Sequence, residues 1–405
     1  MRDKDRLGRV EGQALAWGPA VREGLKEAVR EFIVATIEEE AAAVLGVERH
    51  ERAEGRAGYR NGTKPRRVTT CAGPLTLAVP RARLFTEDGA TEEWRGHVLP
   101  RYARRSPDVD AAVLGMYLSG VNTRKVKAAL RPLLGKAPLS RSAVSRIVER
   151  LRRRFEEWSK RPLTDEKVVH LYLDGLGVKV RLGGKVVSVP VLAALGVRAD
   201  GTKVLLALEL AGAEATEAWK GVLDSMVARG LGVPILCIVD GSGGLGRAIK
   251  EVWPRVPVQR CTVHKLRNLE AKAPKHLHEE LRDDYRAFVY AESPAEVRAG
   301  HAKFLAKWEK LCPAVATSLR EAGEDLLTFT KFPKEQWRSL RTTNVIERLN
   351  GEFRRRVKTQ GSLPSEQAAV VLLFALVDQG VIRMRKMEGK DTMAEVLLAH
   401  GRHAA

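Results

Sequence analysis

Apolar residues recur at steps of three and four near the start of the chain, with charged residues between them. The stripe consists of Val21, Leu25, Val29, Phe32, Ile33 and Ile37. This spacing predicts a helical region over residues 1–58 with an apolar face that needs a partner. The rest of the chain and a second copy of it are both candidates for that partner.

The next region comprises residues 59–106, and apolar and polar residues alternate in it. Two β-rich segments, 66–71 and 75–79, flank Ala72-Gly73-Pro74, which predicts a hairpin. Its basic residues are Arg60, Lys64, Arg66, Arg67, Arg81 and Arg83. A basic two-stranded ribbon can contact DNA phosphates, and an exposed hairpin with solvating charges explains the pattern equally well.

Helical periodicity returns over residues 107–160. One amphipathic stretch ends near Leu134, residues 135–139 interrupt it, and Ser140 is placed to cap a second helix. The apolar face of that helix is Val144, Ile147, Val148 and Leu151, and its outer face includes Arg141, Arg146 and Arg150. The pattern favours a helix-turn-helix that binds DNA over a plain helical hairpin with a basic solvent side.

The chain then alternates with a period of two over segments 168–180, 185–197 and 203–210, with turn residues at 183–184 and 199–201. Three antiparallel strands are expected. A helix at 216–229, an apolar strand at 235–239, a helix at 245–253 and a strand at 256–259 follow. The order βββαβαβ is that of an α/β RNase H-like core.

No strand signal follows residue 262. Helices are expected to about residue 335, then a basic helix at 344–358, an apolar helix at 365–379 and a loosely helical C-terminal tail at 381–405. The longest apolar run, Ala368 to Val377, is half of the roughly 20 residues that span a bilayer. The N-terminus lacks the apolar core of a signal peptide. We therefore expect a soluble, cytoplasmic protein with no membrane partner.

Charge narrows the class of partner. Lys and Arg number 70 against 50 Asp and Glu, a net charge of +20. Such an excess attracts polyanions, and nucleic acid is the commonest large one in a cytosol. The four cysteines form no CxxC pair, so neither a disulfide framework nor an obvious zinc motif is present.

Two acids lie on the predicted central strands. Asp174 stands among apolar residues of the first strand, and Asp240 ends the apolar strand at 235–239. In a βββαβ order these strands are adjacent, about 4.8 Å apart, so the two carboxylates can face each other. A buried pair of acids needs a cation, and hard Mg²⁺ or Mn²⁺ prefers such oxygen ligands. The pattern predicts two divalent ions that serve phosphoryl transfer.

Glu347 is the third predicted acid and metal ligand, at the start of the basic helix. It lies in the segment RTTNVIERLN, residues 341–350, and Arg354 follows two turns later on the same face. Arg348, Arg355 and Arg356 of this helix are further candidates for DNA contact. A surface helix with one exposed acid is the alternative interpretation.

Two other motifs have competing interpretations. Residues 241–246 match GxGxxG, but the strand before them follows an antiparallel meander and ends in an acid, which disfavours a dinucleotide site. The glycines are better explained by close approach of DNA backbone to Asp240. Cys261 and His264 form a C-x₂-H pair without two further zinc ligands at a usual spacing, so we interpret them as accessories of the metal site.

The chain resembles the IS256 family of bacterial insertion-sequence transposases, within the Mutator-like superfamily. The most specific matches are QRCTVH at 259–264 and RTTNVIERLN at 341–350, behind the Asp-Gly pairs at 174–175 and 240–241. Shorter matches include YRNG at 59–62 and GVNTR at 120–124. One departure is Val239, where the family often has Ser.

The resemblance implies a DDE triad of Asp174, Asp240 and Glu347, the superfamily C(2)H signature at Cys261 and His264, and a basic residue at Arg354. It also implies an RNase H-like core at 165–264 and 339–380 that is interrupted by an all-helical insertion at 265–338. The implied activity is binding of terminal inverted repeats, strand cleavage and joining of 3′-hydroxyl ends to target DNA. The same resemblance implies a bacterial, nucleoid-associated location. The spacing of the residues leaves both cut-and-paste and a copying route through a circular intermediate open, and the resemblance favours the copying route.

Two other functions remain open from the residues alone. A nuclease on the same core would hydrolyse DNA without joining ends, and a regulator that only binds DNA would not need Asp174 or Asp240. Because transposition brings two DNA ends together, we expect a homodimer, with the apolar stripe of residues 21–37 as one candidate interface.

Overall fold

The computed structural model describes residues 4–51, 53–119, 121, 125–126, 128–130, 141–358, 363 and 365–401, and of residues 4–17 and 141–143 it describes only the backbone. The chain divides into two compact units, Met1–Glu149 and Arg150–Ala405. Mixed α/β structure is present, with a three-stranded and a five-stranded sheet. Among the described residues, none of the helices has the length and apolar content needed to cross a membrane.

The first unit begins with one long helix, α1 (Lys4–Leu45), followed by strands β1 (Gly58–Thr70), β2 (Gly73–Phe85) and β3 (Thr91–Glu93). The predicted hairpin is confirmed, because β1 and β2 pair antiparallel from Gly58↔Leu84 to Thr70↔Gly73. Its strands are longer than predicted. Gly73 at the turn has a φ of 115°, which favours glycine.

The apolar stripe of α1 has a partner within the first unit for part of its length. Val29 and Ile33 pack on a cluster of Val68, Leu75 and Leu77 from the hairpin. In contrast, Val21 and Leu25 are exposed, and Phe32 has 72% of its surface exposed. The hairpin therefore packs against only the inner side of the helix, and it provides the predicted partner for that part of the apolar stripe.

Helices α2 (Pro107–Leu118) and α3 (Arg141–Lys160) follow. Apolar residues from both elements and from the residues between them form one cluster, which contains Val109, Val113, Val126, Leu130, Val144 and Ile147. This cluster agrees with the predicted apolar face of α3. The predicted turn at 135–139 and the proposed cap Ser140 lie outside the described residues.

A five-stranded sheet organises the second unit, with strand order β6-β5-β4-β7-β8. The strands are β4 (Val168–Leu182), β5 (Lys185–Arg198), β6 (Lys203–Leu210), β7 (Leu236–Val239) and β8 (Val258–Arg260). The first three are antiparallel, and β7 and β8 run parallel to β4. The predicted adjacency of the first and fourth strands is confirmed.

Helices α4 (Thr216–Ala228) and α5 (Gly243–Val252) cover one face of this sheet. Their Trp219, Leu223 and Ile249 pack with Leu173 and Cys237 of the central strands. Side chains alternate between the faces of a strand, so the even-numbered residues of β4 and β7 face the other side. There, Tyr172 donates a hydrogen bond to Ser339 O at 3.1 Å.

The stretch after β8 is helical, as predicted. Its helices are α6 (Thr262–Glu270), α7 (His278–Val289), α8 (Pro294–Leu311), α9 (Pro313–Ala322) and α10 (Lys334–Leu340), with 3₁₀ turns at Lys275–Leu277, Gly323–Leu326 and Thr328–Lys331. Tyr285, Phe288, Phe304 and Trp308 form an aromatic core between α7 and α8. This core explains why the helices hold together without a sheet.

Two helices then return to the sheet, α11 (Asn344–Lys358) and α12 (Glu366–Asp378), with a short final helix α13 (Met393–Ala399). Residues 369–376 of α12 are buried, which confirms the apolar helix predicted to pack on the core. The expectation of a loosely helical tail was wrong for residues 381–389. That segment is not helical, and it is fixed where Ile382 N bonds Leu376 O at 2.8 Å and Met387 N bonds Gly201 O at 2.9 Å.

Candidate active site

Asp174 and Asp240 lie side by side at the junction of two parallel strands. The pairing of β4 with β7 ends at Leu173↔Val239; Asp174 is the next residue of β4, and Asp240 directly follows the end of β7. Both are even-numbered, so both face the side of the sheet that α10 and α11 cover. The parallel register therefore produces the juxtaposition that the sequence predicted.

Asp174 is 8% exposed and in contact with a second polar side chain. Asn350 of α11 donates from Nδ2 to Asp174 Oδ2 at 2.7 Å. Burial and the neighbouring Asp240 carboxylate raise the pKa of Asp174 to about 6, although the Asn350 bond acts in the opposite direction. The Asn350 Oδ1 atom is buried and has no hydrogen-bond partner among the residues that the structure describes. Asp174 therefore carries its charge in a buried position beside a second carboxylate.

The backbone after Asp240 turns sharply. Ser242 N donates to Asp240 Oδ1 at 2.8 Å, and Gly241 has a φ of 101°. A Cβ on Gly241 would lie 2.9 Å from Arg260 Nε, and Arg260 NH2 donates to Gly241 O at 3.2 Å. This differs from the expectation that Gly241 leaves room for DNA, because Arg260 fills that space. At Gly243 and Gly246, no described residue outside the local helix backbone has an atom within 4 Å of the position that a Cβ would occupy.

Glu347 lies in the first turn of α11. Thr343 Oγ1 donates to Glu347 Oε1 at 2.7 Å, and Glu347 N donates to Thr343 O at 2.8 Å. The threonine that precedes the helix therefore orients the carboxylate at its N-terminus, where the helix dipole favours an anion. Glu347 is close enough to Asp174 to contribute to its raised pKa, after the larger effects of burial and Asp240.

Cys261 and His264, at the start of α6, come together with Glu347. One ligand atom from each lies within 4.8 Å of the other two, and His264 Nδ1 is 3.5 Å from Glu347 Oε1. Burial opposes ionisation of the Cys261 thiol, but hydrogen bonds from His264 and Thr343 outweigh it and hold its pKa below the ordinary value. The bond to Cys261 likewise raises the pKa of His264, against the effect of burial.

The QRC segment at 259–261 is held in place by hydrogen bonds to backbone groups of neighbouring elements. Gln259, fully buried, donates to Leu326 O at 2.9 Å and accepts from Phe329 N at 2.6 Å. Cys261 N donates to Val239 O at 2.8 Å, next to Asp240. The segment therefore joins the end of β7 to the 3₁₀ turns. As a result, Cys261 and the nearby His264 lie beside Glu347.

A fourth carboxylate, Glu214, lies at the same edge of the sheet, and the sequence analysis missed it. Its Oε2 lies 2.8 Å from where a Cβ on Gly175 would stand. Partial burial and the nearby Asp240 raise the pKa of Glu214. One signal could have found it: β6 is parallel to β4, so the loop that follows β6 leaves the sheet at the edge that carries Asp174.

The remaining predicted site residues are basic side chains. Arg354 is exposed on α11, and no carboxylate lies within 4 Å of it among the described residues. In the first unit, Arg60 pairs with Glu38 at 2.6 Å, and Arg66 donates to the carbonyls of Leu99, Pro100 and Ala103. The exposed candidates with described side chains are Arg67, Arg146, Arg150, Arg348 and Arg355. The Arg356 side chain is half-buried, and that of Arg141 lies outside the described residues. Their contact with DNA stays a prediction.

Comparison with known proteins places these features in a family context. Residues 4–381 match the sequence profile described as "Transposase, Mutator family". The chain is 35% identical over 354 residues to the transposase for insertion sequence element ISRM5 of Rhizobium meliloti, which covers 87% of each chain. It is 35% identical to the transposase for IS1081 of Mycobacterium tuberculosis, over 85% of this chain and 82% of that protein. For the transposase of IS256 in transposon Tn4001 of Staphylococcus aureus the identity is 32%, over 89% and 93%.

Proposed function

Because the chain belongs to the Mutator family of transposases, we propose that it cuts DNA strands at the ends of its insertion sequence and joins their 3′-hydroxyl ends to target DNA. The observation that carries the proposal is the juxtaposition of Asp174 and Asp240 on adjacent parallel strands, with Glu347 of α11 close by. We assign these three acids as the catalytic DDE triad.

The acids fit divalent metal ions. Their donors are carboxylate oxygens, which Mg²⁺ and Mn²⁺ prefer. Burial and the nearby Asp240 carboxylate raise the pKa of Asp174, and a cation bound beside the two acids would stabilise the ionised form. The unpartnered Oδ1 of Asn350 offers a further polar atom beside Asp174. We infer that Asp174, Asp240 and Glu347 hold the metal, with two ions as the expected number.

When bound, such ions activate a water or 3′-hydroxyl and stabilise the leaving oxygen of an in-line phosphoryl transfer. The protein supplies orientation. Asn350 fixes the rotamer of Asp174, Thr343 fixes that of Glu347, and His264 adds a donor beside the same carboxylate. Preorganisation of this kind is needed because small displacements of reacting groups cost large factors in rate.

Cys261 is better explained as a support for His264 than as a metal ligand. A thiolate is a soft donor and suits zinc, whereas the surrounding donors are hard oxygens. Its Sγ already accepts from Thr343 N at 3.3 Å. We therefore retain Cys261 and His264 as accessories of the catalytic acids.

The fold supports the same proposal. The strand order β6-β5-β4-β7-β8, with three antiparallel strands followed by two parallel ones, is the arrangement expected of an RNase H-like core. We assign residues 165–264 and 339–380 to this core and 265–338 to a helical insertion. We assign the N-terminal regions 1–58, 59–106 and 107–160 to dimerisation, phosphate contact and recognition of the inverted repeats. The active form is expected to be a homodimer.

The proposal is tested by strand transfer in vitro with an inverted-repeat oligonucleotide, a supercoiled target and Mg²⁺ or Mn²⁺. Joined product is expected from the wild-type chain and from none of the Asp174→Ala, Asp240→Ala and Glu347→Ala variants. DNA binding should persist in all three, as measured by fluorescence anisotropy. Cleavage without any joined product would overturn the proposal in favour of a hydrolytic nuclease.

A further inference from the structure

A basic groove of about 830 Å³ runs along helix α11 in the second unit. Asn344, Arg348 and Glu352 line it from one face of the helix, whereas Glu347 and Asn350 point from another face toward the acids. Residues are about 100° apart around an α-helix of 10–12 Å diameter. Glu347 is about 100° and Asn350 about 160° around the helix from Arg348, so the groove and the catalytic acids lie on different faces of α11.

Cationic side chains dominate the lining. Six basic residues contribute to it: Lys203, Arg338, Arg348, Arg383, Arg385 and Lys386. The lining has two carboxylates, and both already have cationic partners. Glu388 lies 3.4 Å from Arg338, and Glu352 lies 2.9 Å from Arg355. The groove therefore has a surplus of positive charge that its own acids do not balance.

Lys203 and Arg348 show the surplus most clearly. Lys203 is half-buried, and its pKa is lowered by burial and by the nearby Arg348 guanidinium. Neither side chain has a carboxylate within 4 Å in the part of the chain that the structure describes. Two like charges held together in partly desolvated surroundings repel each other, and an anion between them would relieve that repulsion.

The opposite wall is the non-helical segment 381–387. Buried Ile382 and Met387 anchor it, and their backbone N–H groups bond Leu376 O and Gly201 O. Between these anchors, Arg383 and Arg385 are exposed, with no carboxylate within 4 Å among the described residues. The two arginines are therefore held at the groove by a fixed backbone, which lowers the entropy lost when they bind a ligand.

We propose that this groove binds the sugar-phosphate backbone of DNA beside the catalytic acids, an inference that rests on the proposed transposase function. Phosphates repeat along a strand, and a row of guanidinium groups on an anchored backbone can match them as bidentate donors. The DNA belongs either to the insertion-sequence end or to the target. Both present the same phosphate chemistry.

The test measures DNA affinity of the full chain in EDTA, where no strand is cut. The Arg383→Ala/Arg385→Ala double variant is titrated against an inverted-repeat duplex and against a duplex of unrelated sequence, at several salt concentrations. Each lost phosphate contact lowers the slope of log affinity against log salt by about 0.9. We therefore expect the slope to fall by roughly 2. A fall on the inverted-repeat duplex alone assigns the groove to the end, and a fall on both duplexes assigns it to general backbone contact that includes target DNA.

Two matched variants control for loss of fold and for nonspecific charge effects. Arg383→Lys/Arg385→Lys keeps both charges and should keep the wild-type slope. Lys303→Ala/Lys310→Ala removes two exposed cations from α8 and should also keep it. An unchanged slope in the Arg383→Ala/Arg385→Ala variant would overturn the proposal that the groove binds DNA, even where the wild-type chain still joins DNA ends. Failure of the proposed function has a different signature, which is absence of joining by a wild-type chain that binds DNA normally.

Discussion

The side chain of Asn350 donates a hydrogen bond to the Asp174 carboxylate, with 2.7 Å between Nδ2 and Oδ2. This bond joins α11 to the central strand β4 on the face of the five-stranded sheet that carries the acids. Glu347 lies three residues earlier on the same helix, so the contact that orients Asp174 also sets where Glu347 stands. One hydrogen bond therefore couples two of the proposed catalytic acids.

Replacing Asn350 should weaken the fold as well as the site. Asn350→Ala leaves a buried carboxylate without its neutral donor, a cost of about 1–3 kcal/mol. The measurement is the free energy of unfolding in urea with EDTA. The exposed Asn268 of α6 offers a control, since Asn268→Ala should change stability by less than about 0.5 kcal/mol. Equal stability of the two variants would contradict the importance of the bond.

Stability without metal should depend on pH through Asp174. Its pKa in the folded chain is about 6, above the ordinary value of 3.8. A carboxyl whose pKa is raised on folding favours the folded state at low pH, and this contribution is lost as pH rises from 3.8 to about 6. At pH 7, Asp174→Asn should therefore be more stable than wild type by on the order of 3 kcal/mol.

The pH experiment compares denaturation midpoints of Asp174→Asn and wild type in EDTA from pH 4 to pH 8. The difference between them should grow with pH and level off above the folded pKa. Asp165→Asn removes an exposed acid and provides the matched control, whose difference should stay near zero throughout. Parallel curves for Asp174→Asn and wild type would show that Asp174 is not desolvated as the structure indicates.

Glu214 adds a negative charge beside Asp240. Removing that charge with Glu214→Gln should raise the melting temperature in EDTA, by the equivalent of less than about 1 kcal/mol because the carboxylate is partly exposed. It should also reduce the further rise in melting temperature that Mn²⁺ produces. Glu251→Gln, an exposed acid on α5, should change neither value. A lower melting temperature of Glu214→Gln than of wild type in EDTA would argue against repulsion between Glu214 and Asp240.

The thiol of Cys261 raises the pKa of His264. Cys261→Ala should therefore lower the pH at which the His264 ring titrates, and ¹H–¹³C NMR of the imidazole in EDTA reports that midpoint directly. The control is Cys312→Ala, which removes a half-buried thiol on the helical side of the chain and should leave the His264 titration where it is. An unmoved His264 midpoint in Cys261→Ala would place the cause elsewhere.

Neighbouring arginines of strand β1 should behave differently. Arg66 donates to three backbone carbonyls, those of Leu99, Pro100 and Ala103, so Arg66→Ala should destabilise the chain by about 2–3 kcal/mol. Arg67 is exposed, and Arg67→Ala should leave stability within about 0.5 kcal/mol while lowering affinity for DNA. Thermal melts and anisotropy titrations distinguish them, and equal melting temperatures would contradict the structural role of Arg66.

The sequence by itself determined the elements and two of the proposed site positions. Strand alternation, the glycine turn at 183–184 and the apolar stretch before Asp240 are local patterns, and they predicted the strands β4 to β7 to within a few residues. Parallel strands in a known order bring their carboxyl ends together, so the meeting of Asp174 and Asp240 followed from the same patterns. Glu347 depended on the family resemblance, because a helix pattern does not show which acid of a basic helix turns toward the sheet.

Only the tertiary structure decided which side chains complete these elements. Asn350 and Thr343 carry no spacing signal, since each meets its partner through the packing of a helix on the sheet. Glu214 is indicated only by the order of the strands, which places its loop at the edge that carries Asp174. Packing also reserved Arg66 for backbone carbonyls and fixed Arg383 and Arg385 at one groove. Periodicity reports which face of an element is buried. Which residue of another element meets that face is set by long-range contacts that no local pattern encodes.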